Sequence, residues 1–100
     1  MSLMIESFAD KATEDIFNGV NSTAARRLLP RELCRVAYRK LDQIDSATTL
    51  DDLRVPPGNR LEALKAERSG QYSVRINDQY RICFEWTLNG ASGVEIVDYH

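Results

Sequence analysis

The sequence has few of the residues that build metal centres, disulfide frameworks or thiol nucleophiles. In 100 residues there are two cysteines, Cys34 and Cys83, and one histidine, His100. Neither cysteine stands in a metal-ligand spacing, so we interpret both as small apolar side chains in a reduced cytoplasm. We therefore expect neither a metal ion nor a cofactor.

Long apolar runs are also absent. No stretch reaches the length of a membrane span, and the first residues lack a signal-peptide pattern, which predicts a cytoplasmic chain with no membrane partner. Met1-Ser2-Leu3 stands before a second methionine and is predicted to be an expression scar. The remaining residues, 4–100, are enough for one modest core and too few for two, so a single domain is expected.

Neither sign of charge dominates the whole chain, whose net charge is −2. The charges are nevertheless uneven, because residues 54–81 carry six basic side chains against three acidic ones. The six are Arg54, Arg60, Lys65, Arg68, Arg75 and Arg81. This distribution places a candidate surface for a polyanion in the C-terminal half of the chain.

The N-terminal half has helical signals. Asp10 and Gly19 suit the start and end of a first helix, after a short first strand at residues 4–8. Pro30 suits the first turn of a second helix, whose apolar residues recur at helical spacing. Those residues are Leu33, Ala37, Leu41 and Ile44. Residues 21–29 are ambiguous, and residues 48–52 resemble a short capped turn.

The C-terminal half alternates between apolar and polar residues. The apolar members are Tyr72, Val74, Ile76, Tyr80, Ile82, Phe84 and Trp86. A period of two with one apolar face predicts antiparallel strands packed on helices on one side only, and therefore an α+β fold. Arg75 and Arg81 should leave the sheet on the face opposite the core. Because Leu61 and Leu64 are three apart, a bulge or bend is expected between them, which would re-aim Glu62 and Lys65.

Three motifs carry a family resemblance: Pro-Pro-Gly-Asn-Arg-Leu-Glu-Ala-Leu at 56–64, the pair Tyr80-Arg81, and Asp98-Tyr99-His100. With them the chain resembles the HigB branch of the RelE/ParE superfamily of toxin–antitoxin toxins. The resemblance implies two N-terminal helices on a curved, mainly antiparallel sheet, the RelE-like microbial RNase fold. It also implies a ribosome-dependent endonuclease that cleaves mRNA in the A site, and a HigA-type helix-turn-helix antitoxin.

One position departs from that pattern. RNA-cleaving HigB proteins carry a histidine where this chain has Glu62, and a subgroup with glutamate there looks like the closer match. The alternative function is a ParE-like toxin that binds and inhibits a protein target such as DNA gyrase and cuts no nucleic acid.

Metal-free RNA cleavage requires a base for the 2′-hydroxyl, an acid for the leaving 5′-oxygen, and cations near the phosphate. Asp98 or Glu62 is the candidate base and His100 the candidate proton donor. Arg81 is assigned with Lys65 to the phosphate, and Tyr99 to stacking on a base or positioning water. Further RNA contacts are predicted for Arg54, Arg60, Arg68 and Arg75.

The geometry of the last strand adds one expectation. If it is extended, Asp98 and His100 point to one side and Tyr99 to the other. Asp98 would then orient the imidazole or act as the base, while Tyr99 would need a local twist to reach the RNA.

Overall fold

The computed structural model describes residues 4–99, and its helices are α1 (Lys11–Asn18), α2 (Thr23–Leu28) and α3 (Cys34–Ser46). The predicted boundaries of α1 are confirmed. The Asp10 carboxylate accepts a hydrogen bond from the Thr13 amide at 2.7 Å, and Gly19 ends the helix in the left-handed region at φ 73°. Within the described residues no helix has the length and apolar content needed to cross a membrane.

The region between α1 and α3 clarifies two sequence expectations. The ambiguous stretch contains α2, whose N-terminus is capped by the Ser22 hydroxyl. Pro30 precedes a 3-10 turn at Arg31–Leu33, which runs directly into α3, so the second predicted helix begins with a tighter first turn. Ala37, Leu41 and Ile44 of α3 are buried, as their spacing predicts.

Three more 3-10 turns follow α3: Leu50–Arg54 and Pro57–Asn59 lie between α3 and the sheet, and Ala66–Arg68 lies between the first two strands of the sheet. The first confirms the predicted capped turn. The Thr49 hydroxyl accepts from the Asp52 amide at 3.3 Å, and the Asp52 carboxylate accepts from the Thr49 amide at 3.1 Å. This reciprocal capping box satisfies backbone donors that the turn leaves without partners.

The sheet contains β1 (Glu62–Ala63), β2 (Gln71–Arg75), β3 (Tyr80–Thr87) and β4 (Gly90–Asp98), in the order β1-β2-β3-β4. All three pairings are antiparallel, and the α+β prediction is confirmed. Sheet residues in the core include Val74, Ile82, Phe84, Val94 and Ile96. The opposite face is more closed than the alternation predicts, because Ser73 and Cys83 are also fully buried there.

The predicted first strand at residues 4–8 is wrong. This segment runs along β4 but forms only one parallel bridge, between Phe8 and Val94. The Ile5 amide donates instead to the Asp45 carboxylate at 2.8 Å, and the Gly93 amide donates to the Ser7 hydroxyl at 2.9 Å. Because side chains take these hydrogen bonds, a regular backbone ladder does not develop.

The bulge predicted between Leu61 and Leu64 is also wrong. Glu62 and Ala63 pair in regular register with Ser73 and Tyr72. The sheet has its register shift between β3 and β4 instead. Glu85 lies opposite Ser92, whereas Cys83 lies opposite Glu95, so β4 contains one extra residue between these pairs.

Gly93 lies within this bulge and has φ +61°. A glycine in the left-handed region is typical of one class of bulge, because it adopts a positive φ without a Cβ penalty. The extra residue reverses the side to which every later residue of β4 points. As a result Arg81 lies opposite Val97, and the sheet face of Arg81 is also the face of Tyr99.

Candidate functional site

The polar face of the sheet contains a cleft of about 380 Å³, which we call the sheet cleft. Its lining residues come from the loop before β1, from β1, β2, β3 and the β2–β3 connection, and from the residue after β4: Arg60, Glu62, Arg75, Asn77, Asp78, Arg81 and Tyr99. Three arginines and two carboxylates give it a net charge of +1. The sheet cleft therefore combines a cationic surface with a carboxylate and a phenol.

Arg81 is held rigidly in the sheet cleft. Its Nε donates to the Oγ of buried Ser73 at 2.7 Å, and its Nη2 donates to the carbonyl oxygen of Arg60, also at 2.7 Å. Ser73 lies on the neighbouring strand, two residues along from the position opposite Arg81. Two anchored nitrogens fix the plane of the guanidinium, so its charge is positioned before any ligand binds.

The Arg60 carbonyl is aimed by an unusual backbone conformation. Arg60 follows the Pro57–Asn59 turn and has φ 44°, in the left-handed region that costs a non-glycine residue about 1–2 kcal/mol. Strained backbone of this kind is found where the surrounding structure holds it in place.

Asn59 provides that support and is fully buried. Its Nδ2 donates to the carbonyl of Leu53 at 3.1 Å and to the Oε1 of Gln43 at 3.2 Å, and its Oδ1 accepts from the Lys40 ammonium. Burial lowers the pKa of Lys40 below its ordinary value. Through Asn59, α3 holds the loop whose next residue anchors Arg81.

Glu62 and Asp98, the two candidate bases, occupy different places. Glu62 is exposed in β1, lies opposite Ser73 and lines the sheet cleft with Arg81. Asp98 lies opposite Tyr80 and accepts from the Gln79 side-chain amide at 3.1 Å, and it is not among the residues lining the sheet cleft. The structure thus brings Glu62, and not Asp98, together with Arg81.

Tyr99 lines the sheet cleft, on the same face of the sheet as Arg81. Its amide donates to the Gln79 carbonyl at 2.6 Å, which continues the pairing of β4 past Asp98. Burial raises the pKa of the Tyr99 hydroxyl, with the Cys83 thiol beside it adding to the shift. Near neutral pH Tyr99 is therefore a protonated phenol and a hydrogen-bond donor.

Burial likewise raises the pKa of Cys83, which remains a thiol. Both cysteines are free.

The remaining predicted RNA-binding residues are dispersed. Arg75 lines the sheet cleft and is paired with Asp78. Arg68 bonds the Gln71 side chain at 3.0 Å and Glu95 at 3.2 Å. Lys65 and Arg54 are exposed outside the sheet cleft, and Arg54 is paired with Asp51 at 3.0 Å. His100 lies outside the described residues.

Sequence reasoning missed Ser73 and Asn59. Both are polar residues buried by tertiary contacts, and neither breaks a local pattern. The face of the last strand on which Tyr99 lies could have been predicted from the sequence, because Val94 and Ile96 are the apolar members of the last alternation. Asp98 continues their side of the strand, and Tyr99 continues the opposite side.

Comparison with known proteins identifies the family of this chain. Residues 6–100 match the sequence model of a family described as the RelE-like toxin of type II toxin–antitoxin system HigB. The chain belongs to the HigB family. It is also 39% identical over 97 residues to Toxin HigB-1 of Vibrio cholerae serotype O1, covering 97% of this chain and 98% of that protein. An uncharacterized protein of Haemophilus influenzae is 41% identical over 61 residues, covering 61% of this chain and 60% of its own length.

Membership in the HigB family makes the chain a toxin of a type II toxin–antitoxin system, which implies an antitoxin partner. The family-specific stretch at 56–64 gains a physical explanation here. Asn59 fixes the loop, Arg60 supplies the carbonyl that anchors Arg81, and Glu62 lines the sheet cleft. In a HigB toxin this stretch is therefore part of the candidate site as well as of the fold.

Proposed function

We propose that this HigB toxin is a ribosome-dependent mRNA endonuclease that cleaves mRNA in the A site and so inhibits translation. The observation that carries the proposal is the anchored Arg81 guanidinium, which shares one cleft with Glu62 and Tyr99. A fixed cation beside a carboxylate and a phenol matches what phosphodiester cleavage needs: charge stabilisation and proton transfer.

The roles follow from these positions. Glu62 takes the proton of the 2′-hydroxyl, whose oxygen attacks the adjacent phosphorus. The bond from phosphorus to the 5′-oxygen breaks, and an acid protonates that oxygen, which leaves a cyclic phosphate and a 5′-hydroxyl. Arg81 stabilises the charge that builds on the phosphate during this step. Tyr99 donates a hydrogen bond to the phosphate or stacks on a base.

His100 is our proposed general acid. It is the only imidazole in the sequence, and an unperturbed imidazole titrates near pH 6.5, so a useful fraction is protonated at neutral pH. It directly follows Tyr99 in the sequence, and the Tyr99 side chain lines the sheet cleft.

Asp98, one residue before Tyr99, is proposed as a positioning residue for this end of the chain, since it bonds Gln79 away from the sheet cleft. The arginines and Lys65 around the sheet cleft are proposed to guide the RNA. The proposed partners are the ribosome with its mRNA, and a HigA-type helix-turn-helix antitoxin in the cytoplasm.

Primer extension on mRNA from cells expressing the chain tests the activity. Translation-dependent breaks in open reading frames are expected, and co-expression of the antitoxin should abolish them. Growth arrest with intact mRNA would refute the nuclease proposal. Inhibited supercoiling by purified gyrase in that case would establish the ParE-like alternative.

Single-turnover cleavage on programmed ribosomes tests His100. A version ending at Tyr99 should cleave about 10²–10⁴-fold more slowly than the full chain, the usual contribution of general acid–base catalysis. Thermal stability and antitoxin affinity should be unchanged. Equal rates would remove His100 from the mechanism and transfer the acid role to Tyr99 or water.

A further inference from the structure

A second concave surface lies among the helices and shares no lining residue with the sheet cleft. This helical groove, of about 440 Å³, lies between α1, α2 and the start of α3. Its apolar lining includes Ile16, Val20, Ala25, Cys34 and Tyr38. The volume falls within the range of roughly 300–1,000 Å³ that is common for binding sites.

Three arginines line the same groove: Arg26, Arg31 and Arg35. All three are exposed, and within residues 4–99 none of them forms an ion pair. No aspartate or glutamate is among the groove's lining residues. The local charge is therefore positive and uncompensated, although the chain as a whole is acidic.

Two large apolar residues of the groove are open to solvent. Val20 is 49% exposed and Tyr38 is 46% exposed, whereas Ile16 and Ala25 close the floor. An aliphatic floor with Tyr38 as the single aromatic lining residue favours a protein ligand over RNA, since it offers apolar contacts but only one ring for base stacking. A groove of this kind with charged borders is typical of sites that receive the apolar face of a helix or peptide.

We propose that the helical groove is the docking site for an acidic, amphipathic segment of the antitoxin. Apolar side chains of that segment, spaced three or four residues apart, enter the groove, and aspartates or glutamates beside them pair with Arg26, Arg31 and Arg35. The charge complementarity argues for this occupant over a second copy of the chain, which would bring three more arginines to the same surface. The proposal does not depend on the nuclease chemistry of the sheet cleft.

The test measures binding of the purified full-length antitoxin to the full-length toxin by titration calorimetry. The groove variant is Arg31→Glu/Arg35→Glu. The matched control is Arg27→Glu/Arg39→Glu, which makes the same charge change at exposed arginines of α2 and α3 outside the groove. Because glutamates in the groove would face the carboxylates of the segment and repel them, the groove variant should bind about 10²-fold more weakly, and the control within about threefold.

A second variant, Val20→Ser/Tyr38→Ser, tests the apolar part and alters only exposed side chains. It should weaken binding about tenfold or more, as expected for loss of buried apolar contacts.

Three results would overturn the proposal. One is equal weakening by the groove and control variants, and another is undiminished antitoxin binding by both groove variants. The third is a groove variant that lowers affinity for ribosomes or removes self-association while antitoxin binding is intact, which would assign the groove to RNA or to a second copy.

Discussion

Arg75 and Arg81 of the sheet cleft differ from the arginines of the helical groove in how they are held. In the sheet cleft, Arg81 is bonded to Ser73 and to the Arg60 carbonyl, and Arg75 is paired with Asp78. In the helical groove, Arg26, Arg31 and Arg35 form no ion pair within the described part of the chain.

This difference bears on function. A fixed cation stabilises developing charge without reorganising at the moment of reaction, which suits catalysis. An unpaired exposed arginine keeps its rotamers and can adapt to a partner's carboxylates, which suits recognition. In the two proposals made above, the same residue type therefore serves two different purposes on two surfaces of one small fold.

Removing one arginine from each surface tests this difference most directly. Arg81→Ala should lower single-turnover cleavage about 10²–10³-fold, the scale of a lost oxyanion donor. Arg31→Ala should leave cleavage within about twofold and affect antitoxin affinity instead. Equal losses of cleavage would mean that general electrostatics, and not the anchored position, determines activity.

The next test removes the support beneath the sheet cleft. Asn59→Ala takes away four hydrogen bonds of a buried side chain, and it should lower the free energy of unfolding by about 1–3 kcal/mol. Urea denaturation measures this change. Asn89→Ala is the control, because Asn89 bonds Glu6 at an exposed site, and it should cost less than about 1 kcal/mol. Similar losses in the two variants would contradict the role of Asn59.

A finer change tests the anchoring of Arg81 alone. Ser73→Ala removes the hydroxyl that accepts from Nε and keeps the arginine. Cleavage should fall about tenfold through kcat, because one hydrogen bond to a charged group is lost. The variant Ser73→Thr, which retains a hydroxyl, should recover part of the rate.

Ser92→Ala provides the control for this change. Ser92 lies in β4, and its hydroxyl contacts Ser7 at 3.2 Å away from the sheet cleft. This variant should cleave at the parent rate. If the Ser73→Ala variant is as active as the parent, Arg81 does not need the Ser73 hydroxyl as an anchor.

The last prediction concerns the stability of the fold at acid pH, which should depend on Asp15 in the helical layer. A hydrogen bond from Lys11, with a second from Ser22, lowers the pKa of Asp15 below its ordinary value of 3.8. A lowered folded-state pKa gives stability that is present above about pH 4 and is lost as the pH falls through the folded-state pKa. Asp15→Asn should therefore be less stable than the parent at pH 7, and the gap should narrow at lower pH.

Thermal unfolding between pH 7 and 2 measures that gap. A gap for Asp15→Asn that is constant with pH would exclude its ionisation as the cause.

Some elements have their sequence signal within their own residues, and these elements were predicted correctly. The alternation from Tyr80 to Thr87 gave β3 with its observed bounds, and Asp10 and Gly19 gave the ends of α1. Residues 4–8 could not be assigned in this way, since a hydrogen bond from the Ile5 amide to distant Asp45 decides their conformation.

The candidate site was predicted in composition but not in arrangement. Arg81 and Glu62 were identified from their motifs, and the structure brings them together. The anchors Ser73 and Asn59 act through contacts between elements, which sequence spacing does not reveal. The alternation of Val94 and Ile96 indicates the side of the strand on which Tyr99 lies, but sequence spacing does not reveal the extra residue in β4 that sets the register of Tyr99 against Arg81.

The two edges of the sheet affect how the toxin chain behaves when it is not bound to its antitoxin. β1 is only two residues long, and the segment at residues 4–9 covers the outer edge of β4 through hydrogen bonds from Glu6, Ala9 and Val94. Unpaired strand edges recruit other chains into aggregates, and short or covered edges prevent this. Both edges of this sheet therefore offer few free backbone groups to a strand of another chain, which protects the fold against edge-to-edge aggregation when no antitoxin covers it.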